Sequence, residues 1–369
     1  MSDVKIGKFT MADYAAEKPV GIGSSGEFIY AKDLLKKKSP LNFGATMAAP
    51  DNKIKLALAR INLEPDFEIG ILDDGMKYTK DQVMKHIQDQ TVMGVQFMDM
   101  EVNYSSHFSQ QVLGNIPLPK SMPVIKPVNT KPQVPDDLKG LPPKSLSLFK
   151  SRVLFCENTT DAIIAPAANY RIANVHPVFV ARGFEVICLK GTDDIRNNFQ
   201  SKATDIRMCY IGGSGHGNYS TFTGDQQAAV LRVGGYSASE VKKEVIHFLS
   251  CQTARTLGPD AVSKGAYAFI GYDENYVVDL GSSDLYWACD SQFDISMANG
   301  WTVQQAIADT YAKYDLTIAS VPGTSTAATL LGNKNLIRSP VSGPSWGNKA
   351  TSIKSSFVNN ISFGQSVSR

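Results

Sequence analysis

The chain has 369 residues, enough for two domains or for one domain with a large extension. Hydrophobic residues make up 43% of the chain and charged residues 20%, which is typical of a globular protein and excludes a disordered one. The net charge of +2 argues against a nucleic-acid-binding surface and against a polybasic membrane arm, so we expect neither nucleic acid nor membrane as a partner.

The number and spacing of the cysteines indicate the redox state of the compartment. The five cysteines show no C-x-x-C motif and no regular spacing, so they do not form a disulfide framework, and a reducing compartment is expected. The segment 1–6 has no apolar signal core, and no apolar run reaches membrane-spanning length. We therefore expect a cytoplasmic protein. No His, Cys and Asp residues have zinc-ligand spacing, so neither a metal nor another cofactor is expected.

Residues 1–115 carry no catalytic motif and are predicted to form an N-terminal accessory region through which a regulatory partner could bind. Helices are predicted over 52–61 and 80–89, and a strand over 66–72. The second helix starts with a capping-box pattern, Thr79 followed by Gln82.

Residues 116–150 differ from what precedes them because they contain eight prolines. Proline excludes a helix here, so the segment is predicted to be an extended linker. Lys139, Lys144 and Lys150 would make this linker accessible to a peptidase that cleaves after basic residues.

Residues 151–320 are predicted to form one α/β domain. Strands predicted over 152–156, 184–189, 205–211, 245–249 and 266–272 alternate with helices, which indicates a parallel sheet with right-handed crossovers. The first helix, 165–182, should break or kink at Pro177. Within 218–235, Leu231 and Val233 with Gly234 and Gly235 are expected to form a small hairpin, and late helices are expected over 283–299 and 302–314. The Gly-, Ser- and Asn-rich extension 321–369 is expected to be a tail or a final hairpin.

The third and fourth strands both end in reactive side chains. His216 follows the third strand between Gly215 and Gly217, and Cys251 follows the fourth strand after Ser250. Since the carboxyl ends of parallel strands meet at one edge of a sheet, His216 and Cys251 are expected to face each other. A thiolate is a nucleophile, and a neighbouring imidazole can take or return its proton. The backbone N–H groups of Gly217 and Cys251 could form an oxyanion hole. The alternative is that His216 caps a turn and Cys251 is a small core residue.

The segment Ser214-Gly215-His216-Gly217 resembles the His-Gly motif of caspase-like (clan CD) cysteine peptidases, which include caspases, metacaspases, gingipains, clostripain-like enzymes and CHAT domains. The octapeptide H-F-L-S-C-Q-T-A at 247–254 looks most like the strand and nucleophile of CHAT and gingipain-like members. Segments 265–271 and 299–306 are similar to the next strand and to a late helix of these proteins. The resemblance covers roughly residues 150 to 320 and implies a caspase-like three-layer α/β/α sandwich. Because the caspase pentapeptide around the cysteine is absent, selectivity for aspartate is not implied.

The resemblance implies a cysteine endopeptidase that acts on a protein or peptide substrate through a Cys251–His216 dyad. Loops that line the pocket in caspase-like enzymes would contribute Glu157, Asp161, Ser214 and Ser250. Asp273 and Glu274, after the fifth strand, could also border the cleft. An acidic pocket would favour cleavage after Lys or Arg, and the linker could be cut by the enzyme itself. Metacaspases carry an acid where this chain has Ser250, which weakens the case for basic specificity. Asp161 could equally cap the next helix.

The sequence is compatible with two other functions. The chain could be a catalytically inactive caspase-like scaffold or interaction protein. The glycines of 212–217 follow a strand and include a G-x-G pattern, which would fit a nucleotide-binding flavodoxin-like domain, although neither G-K-[ST] nor a full G-x-G-x-x-G is present.

Overall fold

The computed structural model describes residues 3–36, 49–73, 75–119 and 150–353. Its strands are β1 Asp3–Ile6, β2 Phe9–Ala12, β3 Pro19–Ile22, β4 Phe28–Tyr30, β5 Glu68–Ile71, β6 Lys77–Thr79, β7 Arg152–Glu157, β8 Glu185–Lys190, β9 Met208–Ser214, β10 Gly217–Asn218, β11 Thr221–Thr223, β12 Ala229–Arg232, β13 Val245–Leu249, β14 Ala268–Tyr272, β15 Val277–Asp279 and β16 Ile337–Arg338. Its α-helices are Asp13–Ala16, Ala31–Leu34, Pro50–Asn62, Lys80–Gln88, Val92–Val112, Ala165–Asn174, His176–Ala181, Arg196–Ala203, Leu257–Ser263, Ser283–Asp290, Gln292–Ala298, Val303–Ser320 and Ser325–Leu336.

A six-stranded central sheet has the strand order β16-β14-β13-β9-β7-β8. Strands β7, β8, β9, β13 and β14 are parallel, and β16 joins β14 as an antiparallel edge. The five predicted strands all occur, and the largest shift is in the third, which begins at Met208. Asp205 delays its start because its carboxylate accepts from the backbone N–H of Arg207 in a tight turn.

Alternate residues of these strands point into two separate hydrophobic layers. On β7, Leu154 packs into one layer, whereas Val153 and Phe155 pack into the other. Helices Arg196–Ala203 and Leu257–Ser263 cover the first layer, while Ala165–Asn174 and the late helices cover the second. The predicted α/β/α architecture with a mostly parallel sheet is therefore confirmed.

The helix predicted over 165–182 divides next to proline, as expected. The structure has Ala165–Asn174 followed by His176–Ala181, with Pro177 in the first turn of the second piece. Proline cannot donate a backbone hydrogen bond, so the first helix cannot continue through it.

The N-terminal region packs on the same hydrophobic core as the second layer of the sheet domain. Its predicted helices and strand occur as Pro50–Asn62, Lys80–Gln88 and β5, and the Thr79–Gln82 capping box is present. Helix Val92–Val112 was not predicted. Its buried side includes polar Ser105, Ser109 and Gln111, so it lacks a clear apolar stripe.

The chain beyond residue 320 differs from the expected tail or hairpin. Helix Ser325–Leu336 packs against Val92–Val112, and a Cβ atom on Gly332 would lie 2.5 Å from Cγ of Met100. Strand β16 then completes the edge of the central sheet. For residues 321–353 the prediction of a tail or hairpin is wrong, because a close helix contact buries helix Ser325–Leu336.

Residues 120–149, which hold most of the predicted linker with Lys139 and Lys144, lie outside the described residues, as do 354–369. Within the described ranges, no helix is both long enough and apolar enough to span a membrane.

Candidate active site

The loops after β9 and β13 meet at the carboxyl edge of the central sheet. The register pairs Ser214 with Leu249, and His216 and Cys251 each lie two residues beyond that pair. A Cβ atom on Gly217 would lie 2.1 Å from Oγ of Ser250 and 2.7 Å from the carbonyl oxygen of Cys251. The two loops therefore touch at a point where only glycine fits.

Cys251 is fully buried. Its Sγ accepts a hydrogen bond from the backbone N–H of Tyr276 at 3.1 Å. A donor aimed at sulfur stabilises negative charge there, as a nucleophilic thiolate requires.

The residue after Cys251 has an uncommon backbone conformation. Gln252 has φ of 60°, in the left-handed region that non-glycine residues seldom adopt. Its N–H donates to the carbonyl of Glu274 at 3.1 Å, and its side chain donates to Asn275 at 2.7 Å. This sharp turn directs the chain away from the nucleophile. Nothing in the residue type indicated it, since glutamine has no preference for the left-handed region.

His216 is held between two oxygen atoms. Its Nδ1 lies 2.6 Å from the carbonyl oxygen of Leu72, and its Nε2 lies 3.0 Å from Oδ2 of Asp161. The ring itself is 3% exposed. Leu72 belongs to the N-terminal region and was not predicted as a site residue, because its contribution is a backbone carbonyl brought in by strand pairing.

Asp161 takes part in both the helix start and the histidine contact. Its Oδ1 accepts from the backbone N–H groups of Ile163 and Ile164 at 2.8 and 3.0 Å. Burial raises the pKa of Asp161, but the hydrogen bonds from His216 and the two N–H groups outweigh it and hold that pKa below its ordinary value. The carboxylate is thus ionised near neutral pH. Asp161 is not the cap of helix Ala165–Asn174, whose N-cap is Ile164, but it closes the turn that precedes this helix and contacts His216.

The other predicted pocket residues differ in their contacts. Ser214 is buried, and its Oγ donates to Oε2 of Glu157 at 2.6 Å. Ser250 is buried with its Oγ against Gly217. Asp273 is half-buried and forms a salt bridge with Arg338. Burial raises the pKa of Asp273, and Arg338 opposes the rise.

The glycine run does not form a phosphate-binding loop. Gly212 and Gly213 lie inside β9, and a Cβ atom on Gly213 would lie 2.4 Å from the carbonyl oxygen of Cys156. The small antiparallel sheet β10-β11-β12 follows β9 in place of a helix. The nucleotide-binding alternative therefore lacks the helix N-terminus that it requires. Leu231 lies on β12 of this sheet, but the hairpin turns come before β12 and not at Gly234 and Gly235, where they were predicted.

A cluster of charged side chains lies beneath the sheet, and we call Arg171, Glu157, His247, Asp290 and Asp294 the buried charge cluster. Within it, ligand-type atoms of His247, Asp290 and Asp294 lie within 4.8 Å of one another. The guanidinium of Arg171 approaches Asp294 at 2.7 Å and Asp290 at 3.5 Å. The guanidinium of Arg171 thus already neutralises the carboxylates that a metal ion would need as ligands.

No protein-family model matches the chain, and no curated protein matches it. Among solved structures, it is similar to the Arg-specific cysteine proteinase gingipain R, with 10% identity, a TM-score of 0.34, and coverage of 57% of this chain and 49% of that one. A complex of the pro- and mature domains of Porphyromonas gingivalis RgpB has 8% identity, a TM-score of 0.35, and coverage of 56% and 49%. A structure described as a protease has 10% identity, a TM-score of 0.37, and coverage of 70% and 54%. The chain spans about half the length of these structures. Similarities of this size carry no argument about function.

Proposed function

We propose that this protein is a cysteine endopeptidase in which Cys251 is the nucleophile and His216 the acid/base. The observation that carries the proposal is the placement of both residues two positions beyond paired ends of adjacent parallel strands, on loops that touch at Gly217. Parallel α/β sheets commonly place their chemistry at this edge.

The chemistry follows from these groups. His216 takes the thiol proton, and Cys251 Sγ attacks the substrate carbonyl carbon to give a tetrahedral intermediate. The N–H groups of Gly217 and Cys251 are proposed to stabilise its oxyanion. His216 then protonates the leaving amine, and water hydrolyses the thioester. Asp161 orients the imidazole through the contact at Nε2.

Cys251→Ala should abolish peptide hydrolysis while the fold survives. Cys289→Ala is the matched control, because Cys289 is also buried but its Sγ contacts Thr317 on the late helices. Hydrolysis of unfolded casein by both variants is the measurement. Equal turnover in the wild type and in Cys251→Ala would reject the assignment.

Two finer features belong to this proposal. Cleavage after Lys or Arg is supported by the resemblance described above, and self-processing by the lysines of the linker. Against basic specificity, Asp273 and Glu274 are paired with Arg338 and Arg255. Intact masses of wild type and Cys251→Ala, incubated side by side, test self-processing: fragments ending in Lys or Arg should form in the wild type alone.

The proposed catalytic unit is 151–320, in a cytoplasmic protein whose residues 1–115 have a regulatory role. The alternative of an inactive scaffold is favoured by one observation, the burial of both Cys251 and His216. A thiol probe that labels Cys251 without any turnover, even after the site has been opened, would favour the scaffold.

A further inference from the structure

Strand β5 of the N-terminal region leads directly into the candidate active site. It pairs antiparallel with β15, with Ile71 opposite Val277. One residue further, the N–H of Leu72 donates to the carbonyl of Tyr276 at 3.2 Å. Tyr276 is the residue whose own N–H binds Sγ of Cys251. The N-terminal chain therefore runs along β15 as far as Tyr276, the residue whose N–H binds the sulfur of Cys251.

The backbone of Leu72 connects the two proposed catalytic residues. Its N–H points to Tyr276 and its carbonyl oxygen accepts from Nδ1 of His216 at 2.6 Å. Nε2 of the same ring lies 3.0 Å from Oδ2 of Asp161. Since Leu72 occupies Nδ1, that nitrogen becomes available to another partner only when the backbone of Leu72 moves.

The loop between β5 and β6 covers the candidate active site at His216. Gly75 has φ of +68°, and a Cβ atom there would lie 3.3 Å from Cε1 of His216 and 3.5 Å from Oδ2 of Asp161. Ile71 and Leu72 are almost fully buried. The hairpin thus excludes both water and a substrate chain from the histidine.

This arrangement has the features of a bound peptide. An extended segment is added to a strand edge through backbone hydrogen bonds, its apolar side chains are buried, and one carbonyl lies against the histidine. We propose that residues 68–72, the cover strand, act as an intramolecular pseudosubstrate and that substrates bind only after the cover strand has left β15. This inference rests on the proposed peptidase function, and it predicts that the ligand displacing the cover strand is another extended, apolar peptide segment.

Substituting Gly75 tests the proposal without altering a catalytic side chain. Gly75→Val is strained at positive φ and crowds the ring of His216, whereas Gly26→Val has the same kind of strain at φ of +84° with nothing within 4 Å. We expect Gly75→Val to speed alkylation of Cys251 by iodoacetamide at least about 10-fold, equivalent to about 1.4 kcal/mol in the opening equilibrium. Peptide mapping quantifies the modification of Cys251, and Gly26→Val should match the wild type. Equal rates in both variants would overturn the proposal.

A reversible lock checks that the opening involves β5 leaving β15. Ile69 and Asp279 are opposite each other in the register, and paired antiparallel residues have Cα separations that a disulfide can bridge. Adding Ile69→Cys and Asp279→Cys to Gly75→Val should restore slow alkylation when the pair is oxidised and fast alkylation after reduction. Fast alkylation in the oxidised state would overturn the proposal, since the cover strand would then not control access.

The two readouts separate this inference from the peptidase assignment. Alkylation of Cys251 reports access and requires no catalysis, whereas casein hydrolysis reports function. Fast alkylation of Gly75→Val without hydrolysis would retain the cover strand and reject the peptidase. Hydrolysis at equal rates in the wild type and Gly75→Val, with equal alkylation, would reject the cover strand and retain the peptidase.

Discussion

Two buried histidines both contact carboxylates: His247 lies inside β13, and His216 lies just beyond the neighbouring strand β9. His247, inside β13, faces Asp294 at 3.1 Å and Asp290 at 3.3 Å, and Arg171 balances those acids. His216, just beyond β9, faces one acid and the backbone carbonyl of Leu72. The partners of His247 belong to the sheet domain itself, whereas one partner of His216 comes from a separate strand of the N-terminal region.

The difference indicates which histidine can change its surroundings. Freeing His247 would expose several charges to a low-dielectric interior, which is costly. Freeing His216 requires only that one backbone carbonyl be replaced by another hydrogen-bond partner, such as a substrate or water. We therefore interpret the buried charge cluster as structural and the His216 site as replaceable and functional.

The largest expected effect is on the free energy of unfolding and comes from a change in the buried charge cluster. Arg171→Met should reduce the free energy of unfolding by about 3–5 kcal/mol, because it leaves Glu157, Asp290 and Asp294 buried without their cation. Urea unfolding followed by circular dichroism measures the change. Arg255→Met, which breaks the exposed pair with Glu274, is the control and should change stability by less than about 1 kcal/mol. A similar small loss for both variants would contradict the structural role of the cluster.

Substitution of His216 should change the rate of peptide hydrolysis more than the free energy of unfolding. His216→Ala is expected to lower peptide hydrolysis at least about 100-fold, as for the loss of a positioned acid/base. In the Gly75→Val background it should also slow alkylation of Cys251 at neutral pH, because the imidazole helps to form the thiolate. Alkylation rates that are the same with and without His216 at every pH from 5 to about 9 would show that the two side chains do not cooperate.

The His247 contacts predict a pH dependence of stability. Burial lowers the pKa of His247, but Asp294 and Asp290 outweigh it and raise that pKa to about 9 from the ordinary 6.5. A raised folded-state pKa means that the stabilisation is complete below pH 6.5 and is lost as the pH rises through about 9. The free energy of unfolding should thus fall between these values, by roughly 1–3 kcal/mol. His247→Asn should flatten this profile, and a wild-type profile that is already flat would contradict the assignment.

The smallest effect is expected for Asp161→Asn. The amide keeps an oxygen for the N–H groups of Ile163 and Ile164, so stability should fall by no more than about 1 kcal/mol. The loss of negative charge beside Nε2 should lower the rate of peptide hydrolysis, because the amide holds the imidazole less firmly. Asp161→Ala should in addition lose the hydrogen bonds that close the turn before helix Ala165–Asn174. Equal rates and pH profiles in the wild type and Asp161→Asn would rule out an orienting role.

The sequence by itself determined the alternation of strands and helices, the parallel sheet and the positions of His216 and Cys251 at its edge. Short apolar runs bounded by glycine or serine are local signals, and the ends of parallel strands meet at one edge whatever the remaining contacts are. The break at Pro177 was equally local, since it depends on a missing N–H.

Only the tertiary structure decided how the candidate active site is covered and which cation neutralises the buried carboxylates. Leu72 and His216 are separated by 144 positions, and Arg171 and Asp294 by 123, so no local pattern links them. The contact at Leu72 is made by a backbone carbonyl, which every residue has, and Gln252 enters the left-handed region without any signal from its side chain. Strand pairing and packing supply these features, because they depend on which distant segments share an edge and not on the composition of either segment.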